Sequence, residues 1–237
     1  MGGDGASHDG HRCIRGCGRV RDVPTTVVQR IDRFNAAHPW SHNDFYHRWI
    51  LRHLPVRFAT SLDVGCGTGN LVRALAGRAG VAGGIDVEPG VIDLARALSA
   101  TFPTAAFRVL DLLEVPEGDE YDVVTAIAVV HHLPLDAALR RLRLLLAPNG
   151  TLVIVGCYRA ATRTDRWVDA VAIPANMIVG WLTSVRRSDA RVALTAPTVP
   201  PQTTLAEIRA AATRALPGAR VRRRLFWRYS LIYTAPT

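Results

Sequence analysis

Ser61-Leu62-Asp63-Val64-Gly65-Cys66-Gly67-Thr68-Gly69 decides how this chain folds. Residues 60–65 form a short apolar β run that ends in glycine, and the helical pattern of residues 69–79 opens directly behind it. Glycine belongs where a chain turns sharply at positive φ, and where backbone must approach a ligand with no Cβ in the way. A glycine-rich turn between strand and helix serves dinucleotides, flavins and other ligands. Two details narrow the choice. The dinucleotide fingerprint G-x-G-x-x-G needs glycine at position 70, where this chain has Asn70, and an acid, Asp63, precedes the turn. That carboxylate disfavours a pyrophosphate and favours a ligand with an ammonium group.

Reading outward, two more acids stand at strand ends. Asp86 closes the β run 82–87 and is placed to accept both hydroxyls of a ribose. Asp111 follows the strand 105–110 and is placed to accept a hydrogen bond from an adenine amine, with the Leu112 N–H directed to the ring. Each acid alone could equally cap a helix; the three together outline one elongated ligand along the carboxyl edge of a sheet. The intervening helices are predicted at 69–79 and 89–99, the latter with Pro89 in its first turn. Strands 121–127 and 151–157, with a helix at 135–147 and a Pro-Asn-Gly turn between, extend the alternation. Short apolar strands alternating with helices signify βαβ units and a parallel sheet.

This ordered series resembles the class I S-adenosylmethionine-dependent methyltransferases. SLDVGCGTGNL and GIDVEPGVIDLAR are similar to that family's first two motifs, and RVLDLLEVP, YDVVTAIAVVHHLP and LLAPNGTLVIVG to the segments that follow. The resemblance covers residues 60–157 and implies an α/β, Rossmann-like, doubly wound seven-stranded sheet, mostly parallel with an antiparallel last strand and helices on both faces. It implies S-adenosyl-L-methionine as cofactor. Gly65, Gly67 and Gly69, with Asp63 and Cys66, would line its amino-acid end, Asp86 and Val87 its ribose, and Asp111 and Leu112 its adenine. Ile127 would offer a carbonyl near the methionine portion. No acceptor is implied beyond those of small-molecule methyltransferases.

The flanks differ in character. Residues 1–24 are Gly-rich and polar and read as a disordered leader, so residues 25–237 are expected to form a single domain. Their parts are an N-terminal helical lid at 25–55, the cofactor core, an apolar insertion at 158–203 and a final helix and β-hairpin at 204–237. The lid comprises helices at 25–38 and from Ser41 to Leu54. His42, Tyr46 and Trp49 share one face of the second, where aromatic rings could attract a sulfonium. His131 and His132 follow the fourth strand. His42, Tyr46, His131 and His132 are the catalytic candidates, an imidazole being the natural base for a hydroxyl or carbon acid. The hairpin is expected from strands 219–227 and 229–234.

Composition bounds the rest. The 237 residues are 49% apolar, and mean hydropathy is positive, which excludes a disordered chain. No charge-free apolar run is long enough to span a membrane. All 29 basic residues are Arg against 20 acids, and from Arg186 onward ten Arg face only Asp189 and Glu207. That surplus raises an RNA methyltransferase as one alternative and a non-catalytic cofactor-binding protein is another; a solvated basic face is the simpler account, since no nucleic-acid module or base-flipping motif is present. His8, His11, Cys13 and Cys17 match no paired zinc-ligand spacing, so no metal is assigned. Four scattered cysteines and no signal-type apolar run near Met1 lead to a cytoplasmic expectation. The expected protein is a monomer or homodimer that methylates a small, largely apolar metabolite.

Overall fold

The computed structural model describes residues 42–162, 200–225 and 228–237, with side chains from Phe45 onward. The leader, the helix expected at 25–38, and the insertion from residue 163 to 199 lie outside the described residues, as do the His/Cys cluster and the side chain of His42.

Helix α1 (His42–Arg52) precedes β1 (Phe58–Val64), α2 (Asn70–Ala76), β2 (Ala79–Asp86), α3 (Pro89–Leu98) and β3 (Ala105–Val109). A 3₁₀ turn at Leu112–Glu114 leads to β4 (Tyr121–Ile127), a second at Val130–His132 to α4 (Leu135–Leu144), and then come β5 (Leu146–Cys157), α5 (Leu205–Ala215), β6 (Arg220–Arg223) and β7 (Arg228–Thr234). The seven strands form one sheet in the order β3-β2-β1-β4-β5-β7-β6. Pairing is parallel from β3 through β5, and β7 runs antiparallel to both its neighbours. Only β7 is therefore reversed, as expected.

The period-two alternation of the strands sorts the core into two layers. Leu62, Val64, Val124, Ala126, Leu152, Ile154 and Leu231 face α4 and α5, whereas Val123, Ile127, Val153 and Val155 face α1, α2 and α3. Both faces of the sheet are thus covered, and its central strands are buried on both sides. Pro89 starts α3 where its missing N–H costs nothing. Helix α5 starts with a capping box: Thr204 Oγ1 accepts from the Glu207 N–H at 3.3 Å, and Glu207 Oε2 accepts from the Thr204 N–H at 2.7 Å.

Several boundaries differ from expectation: α2 ends at Ala76 instead of residue 79, and β2 begins at Ala79 instead of residue 82. The Pro148-Asn149-Gly150 turn lies inside β5 as an irregularity: pairing steps from Tyr121↔Leu146 to Val123↔Thr151, with Asn149 in the left-handed region at φ 60°. That early start of β5 ends α4 at Leu144 instead of residue 147. The first hairpin strand ends at Arg223 instead of residue 227: one more backbone bond in the same register, from the Arg224 N–H to the Arg228 carbonyl at 2.8 Å, leaves only residues 225–227 for the connection.

The reversed strand is held by a cross-strand pair of glycine and tyrosine. Gly156 is the register partner of Tyr229, and a Cβ at Gly156 would stand 2.5 Å from the Tyr229 ring, which is itself buried. Gly156→Ala should therefore destabilise the protein by about 1–3 kcal/mol in urea unfolding. An unchanged midpoint would show that the ring yields freely.

Candidate active site

The carboxyl ends of the parallel strands share one edge, and the strand order reverses between β1 and β4, the place where open α/β sheets form a ligand crevice. The glycine turn lies there. Gly65, Gly67 and Gly69 take φ of 65°, 53° and 77°, a region that L side chains rarely adopt. At Gly65 a Cβ would stand 2.0 Å from Val129 Cγ2, and at Gly69 one would stand 2.7 Å from the Phe107 ring. Gly67 differs, with nothing within 4 Å of its Cβ position, so the middle of the turn is an open cradle. The Cys66 N–H donates to the Ile85 carbonyl at 2.9 Å, while burial pushes the Cys66 thiol well up and keeps it protonated. Arg73 braces the turn from α2 by donating to the Thr68 carbonyl at 2.8 Å and to Ser99 Oγ at 3.0 Å.

Asp63, on β1, is buried, and its register partner on β4 is Thr125. Thr125 Oγ1 donates to Asp63 Oδ1 at 2.6 Å. Burial raises the Asp63 carboxyl to about 7; the Thr125 hydrogen bond opposes that rise, and the nearby charge of Asp86 adds to it. Asp86 accepts from the Gly67 N–H at 3.0 Å through Oδ2 and from the Glu88 N–H at 3.2 Å through Oδ1. It ties the end of β2 to the glycine turn, and each oxygen retains a second lone pair. Val87 beside it is exposed. Asp111 caps the first 3₁₀ turn, accepting from the Leu113 N–H at 2.8 Å, and Leu112 is buried beneath. The capping reading thus applies to Asp111, whereas the N-cap position of α3 belongs to Glu88 and not to Asp86.

Ile127 ends β4 in the same apolar cluster as Cys66 and Tyr46. Tyr46 does not face solvent: it is 4% exposed, and its hydroxyl donates to the Leu225 carbonyl at 2.7 Å. Burial pushes that phenol up to about 12, against the opposing charges of Arg228 and Arg224. His131 and His132 lie side by side with ring centroids 4.0 Å apart. Burial first, then the neighbouring His132 and Arg228, bring His131 down to about 4. Its Nδ1 is buried with no hydrogen-bond partner among the described residues. Arg228 also donates to Cys157 Sγ at the end of β5.

The glycine turn and Asp63, Asp86 and Asp111 thus meet along one edge, Ile127 lies close by, and Tyr46 is committed to packing. Three contributors were not foreseen. Thr125 had a signal, the lone hydroxyl in the apolar run YDVVTAI, but Arg73 and Arg228 are two of 29 arginines and nothing in the pattern singles them out. Among the described residues, no group of three or more His, Cys, Asp or Glu side chains could hold a metal ion, and no helix is long and apolar enough to cross a membrane.

Comparison with known proteins agrees with this geometry. The family model described as a methyltransferase domain matches residues 62–152. An uncharacterized methyltransferase of Mycobacterium tuberculosis is 31% identical over 204 residues, which cover 84% of this chain and 98% of that protein. A ubiquinone biosynthesis O-methyltransferase of Paraburkholderia phytofirmans is 33% identical over 107 residues, 44% of this chain and 46% of that protein. Among solved structures, the N-methyltransferase NodS of Bradyrhizobium japonicum in complex with S-adenosylhomocysteine superposes with a TM-score of 0.56 at 18% identity, covering 88% of this chain and 98% of NodS. Magnesium protoporphyrin IX methyltransferase of Synechocystis PCC 6803 gives 0.52 at 19% identity, covering 93% and 90%. By its sheet, its glycine turn and these relatives, the chain belongs to the class I S-adenosylmethionine-dependent methyltransferases.

Proposed function

We propose that the enzyme methylates an O, N or C nucleophile of a small, largely apolar metabolite. The observation that carries the cofactor half of this reading is the set of three carboxylates, Asp63, Asp86 and Asp111, at or just beyond the ends of β1, β2 and β3 around an open glycine cradle. Relatives named for ubiquinone biosynthesis and for magnesium protoporphyrin IX support an acceptor of this class.

The residues present fit S-adenosylmethionine. Gly65, Gly67 and Gly69, with Cys66, would line its amino-acid end, Asp63 would attract its ammonium, and Ile127 would offer a carbonyl near the methionine portion. Asp86 and Val87 would hold the ribose, and Asp111 and Leu112 the adenine. When bound, the cofactor would supply an electrophilic methyl carbon on a sulfonium. The protein's part is to hold the acceptor in line and exclude water, because positioning provides most of the acceleration in such a displacement. His131 is neutral at ordinary pH and offers an imidazole lone pair beside β4 to an acceptor proton, with His132 adjacent. His42, at the start of α1, is proposed as a further catalytic residue. Tyr46 serves by anchoring α1 to the β6–β7 connection, through Leu225.

Three outcomes test this reading. Asp86→Ala should remove charge-assisted hydrogen bonds worth about 1.5–3 kcal/mol each and release Gly67, so S-adenosylhomocysteine should bind at least about tenfold more weakly by calorimetry. Unchanged affinity would refute the ribose assignment. The second is a proton count. A cationic amine beside Asp63 favours the carboxylate and lowers a pKa that now stands at about 7, so binding at about pH 6 should release up to about one proton, and progressively less above pH 7. Calorimetry in two buffers of different ionisation enthalpy measures it, and Asp63→Asn should abolish it; release that persists in the variant places the proton elsewhere. Third, His131→Ala should lower turnover but keep S-adenosylhomocysteine affinity within about twofold, and a loss of both together would make His131 structural.

A further inference from the structure

A cleft of about 410 Å³, open to solvent, lies between α1 and the β6–β7 connection. That volume suits a small molecule. Three guanidinium groups line it, Arg48 and Arg52 from α1 and Arg224 from the connection, and among the described residues no carboxylate does. Between them lie Phe45, Trp49 and Leu225. Phe45 and Leu225 are each 44% exposed, a large apolar area to leave beside three like charges.

Arg224 is held in place from two sides. Its guanidinium lies over the Trp49 ring at 4.4 Å from the centroid, and its Nε donates to Ser230 Oγ at 2.8 Å. Among the described residues its two terminal nitrogens make no hydrogen bond, and Arg48 and Arg52 pair with no acid. A fixed guanidinium with free terminal N–H groups is arranged to bind an oxyanion in a bidentate way, and loses little entropy in doing so. The site also adjoins the crevice. Strand β6 is parallel to β5, so the connection after Arg223 lies at the carboxyl edge, and Tyr46 on the cleft wall shares its apolar cluster with Cys66 and Ile127.

We propose that this cleft holds the acidic group of the methyl acceptor, which makes the acceptor an organic anion: a carboxylate or phosphate on a planar apolar body. The arginines bind the anion, and Phe45, Trp49 and Leu225 cover the body next to it. This assignment rests on the small-molecule methyltransferase reading and names the substrate class within it.

Calorimetry on the full chain saturated with S-adenosylhomocysteine tests the assignment, with 2-naphthoate and 2-naphthyl phosphate as probes and naphthalene-2-carboxamide as their neutral counterpart. At least one anion should bind about tenfold or more tightly than the amide. Arg224→Gln, and separately Arg48→Gln with Arg52→Gln at exposed positions, should each erase most of that preference without altering S-adenosylhomocysteine affinity. Equal binding of anions and amide, or a preference that survives both variants, overturns the proposal. So does sedimentation with phosphatidylglycerol vesicles that depends on the three arginines while neither anion binds, which would make the patch a lipid-surface contact. Failure to bind S-adenosylhomocysteine at all would instead refute the cofactor reading, and the two failures are separable.

Discussion

No side chain can stand at Gly65. Its Cβ would lie 2.0 Å from Val129 Cγ2, and the rest of the site follows from that contact. The exits of β1 and β4 meet where the strand order reverses, and both are in unusual backbone conformations: Gly65 at φ 65° and Ala128 at φ 55°. Pressed together, they fix where α2 begins and how deep the turn lies. Space remains only over Gly67, and that space is the cradle. Glycine adopts its positive φ freely, so of the two exits only Ala128 holds a strained backbone.

Electrostatics divide the carboxyl edge into two halves. Over β1 to β3 stand Asp63, Asp86 and Asp111, and the first two are close enough for the charge of one to raise the pKa of the other. Past β5 stand Arg224 and Arg228, with Arg48 and Arg52 facing Arg224 from α1. The acidic half suits a cation and the basic half suits an anion. His131 lies towards the second, close enough for Arg228 to depress its pKa. A crevice polarised in this way orients a charged pair of ligands before any specific hydrogen bond forms.

The sheet and the cofactor edge were legible because they rest on local patterns. Glycines at 65, 67 and 69, acids at strand ends and unbroken apolar runs in VVTAI and LVIV are written in consecutive residues. The remainder depends on partners far apart in the chain. Tyr46 and Leu225 are separated by 179 positions, so helical spacing could group Tyr46 with His42 and Trp49 but could not show what that face would meet. It meets the apolar layer, and the hydroxyl is spent on a carbonyl. The stack of Arg224 on Trp49 is invisible for the same reason. Strand β6 ended before residue 227 because its register with β7, which continues to the bond from Arg224 to Arg228, leaves the residues between those two for the chain reversal.

The place of β7 bears on how the chain is made. The ribosome releases β1 through β5 well before the strand that covers β5, and β6 emerges with nothing to pair with until β7 follows. During that interval the long flank of β5, with Val153, Ile154 and Val155 at its centre, presents unpaired N–H and C=O groups to any passing strand. Completion of the sheet is the docking of a hairpin: β7 pairs with β6 and with β5, and its ring at Tyr229 settles onto Gly156. Nascent chains stalled before residue 228 would therefore be the form of this protein most in need of a chaperone.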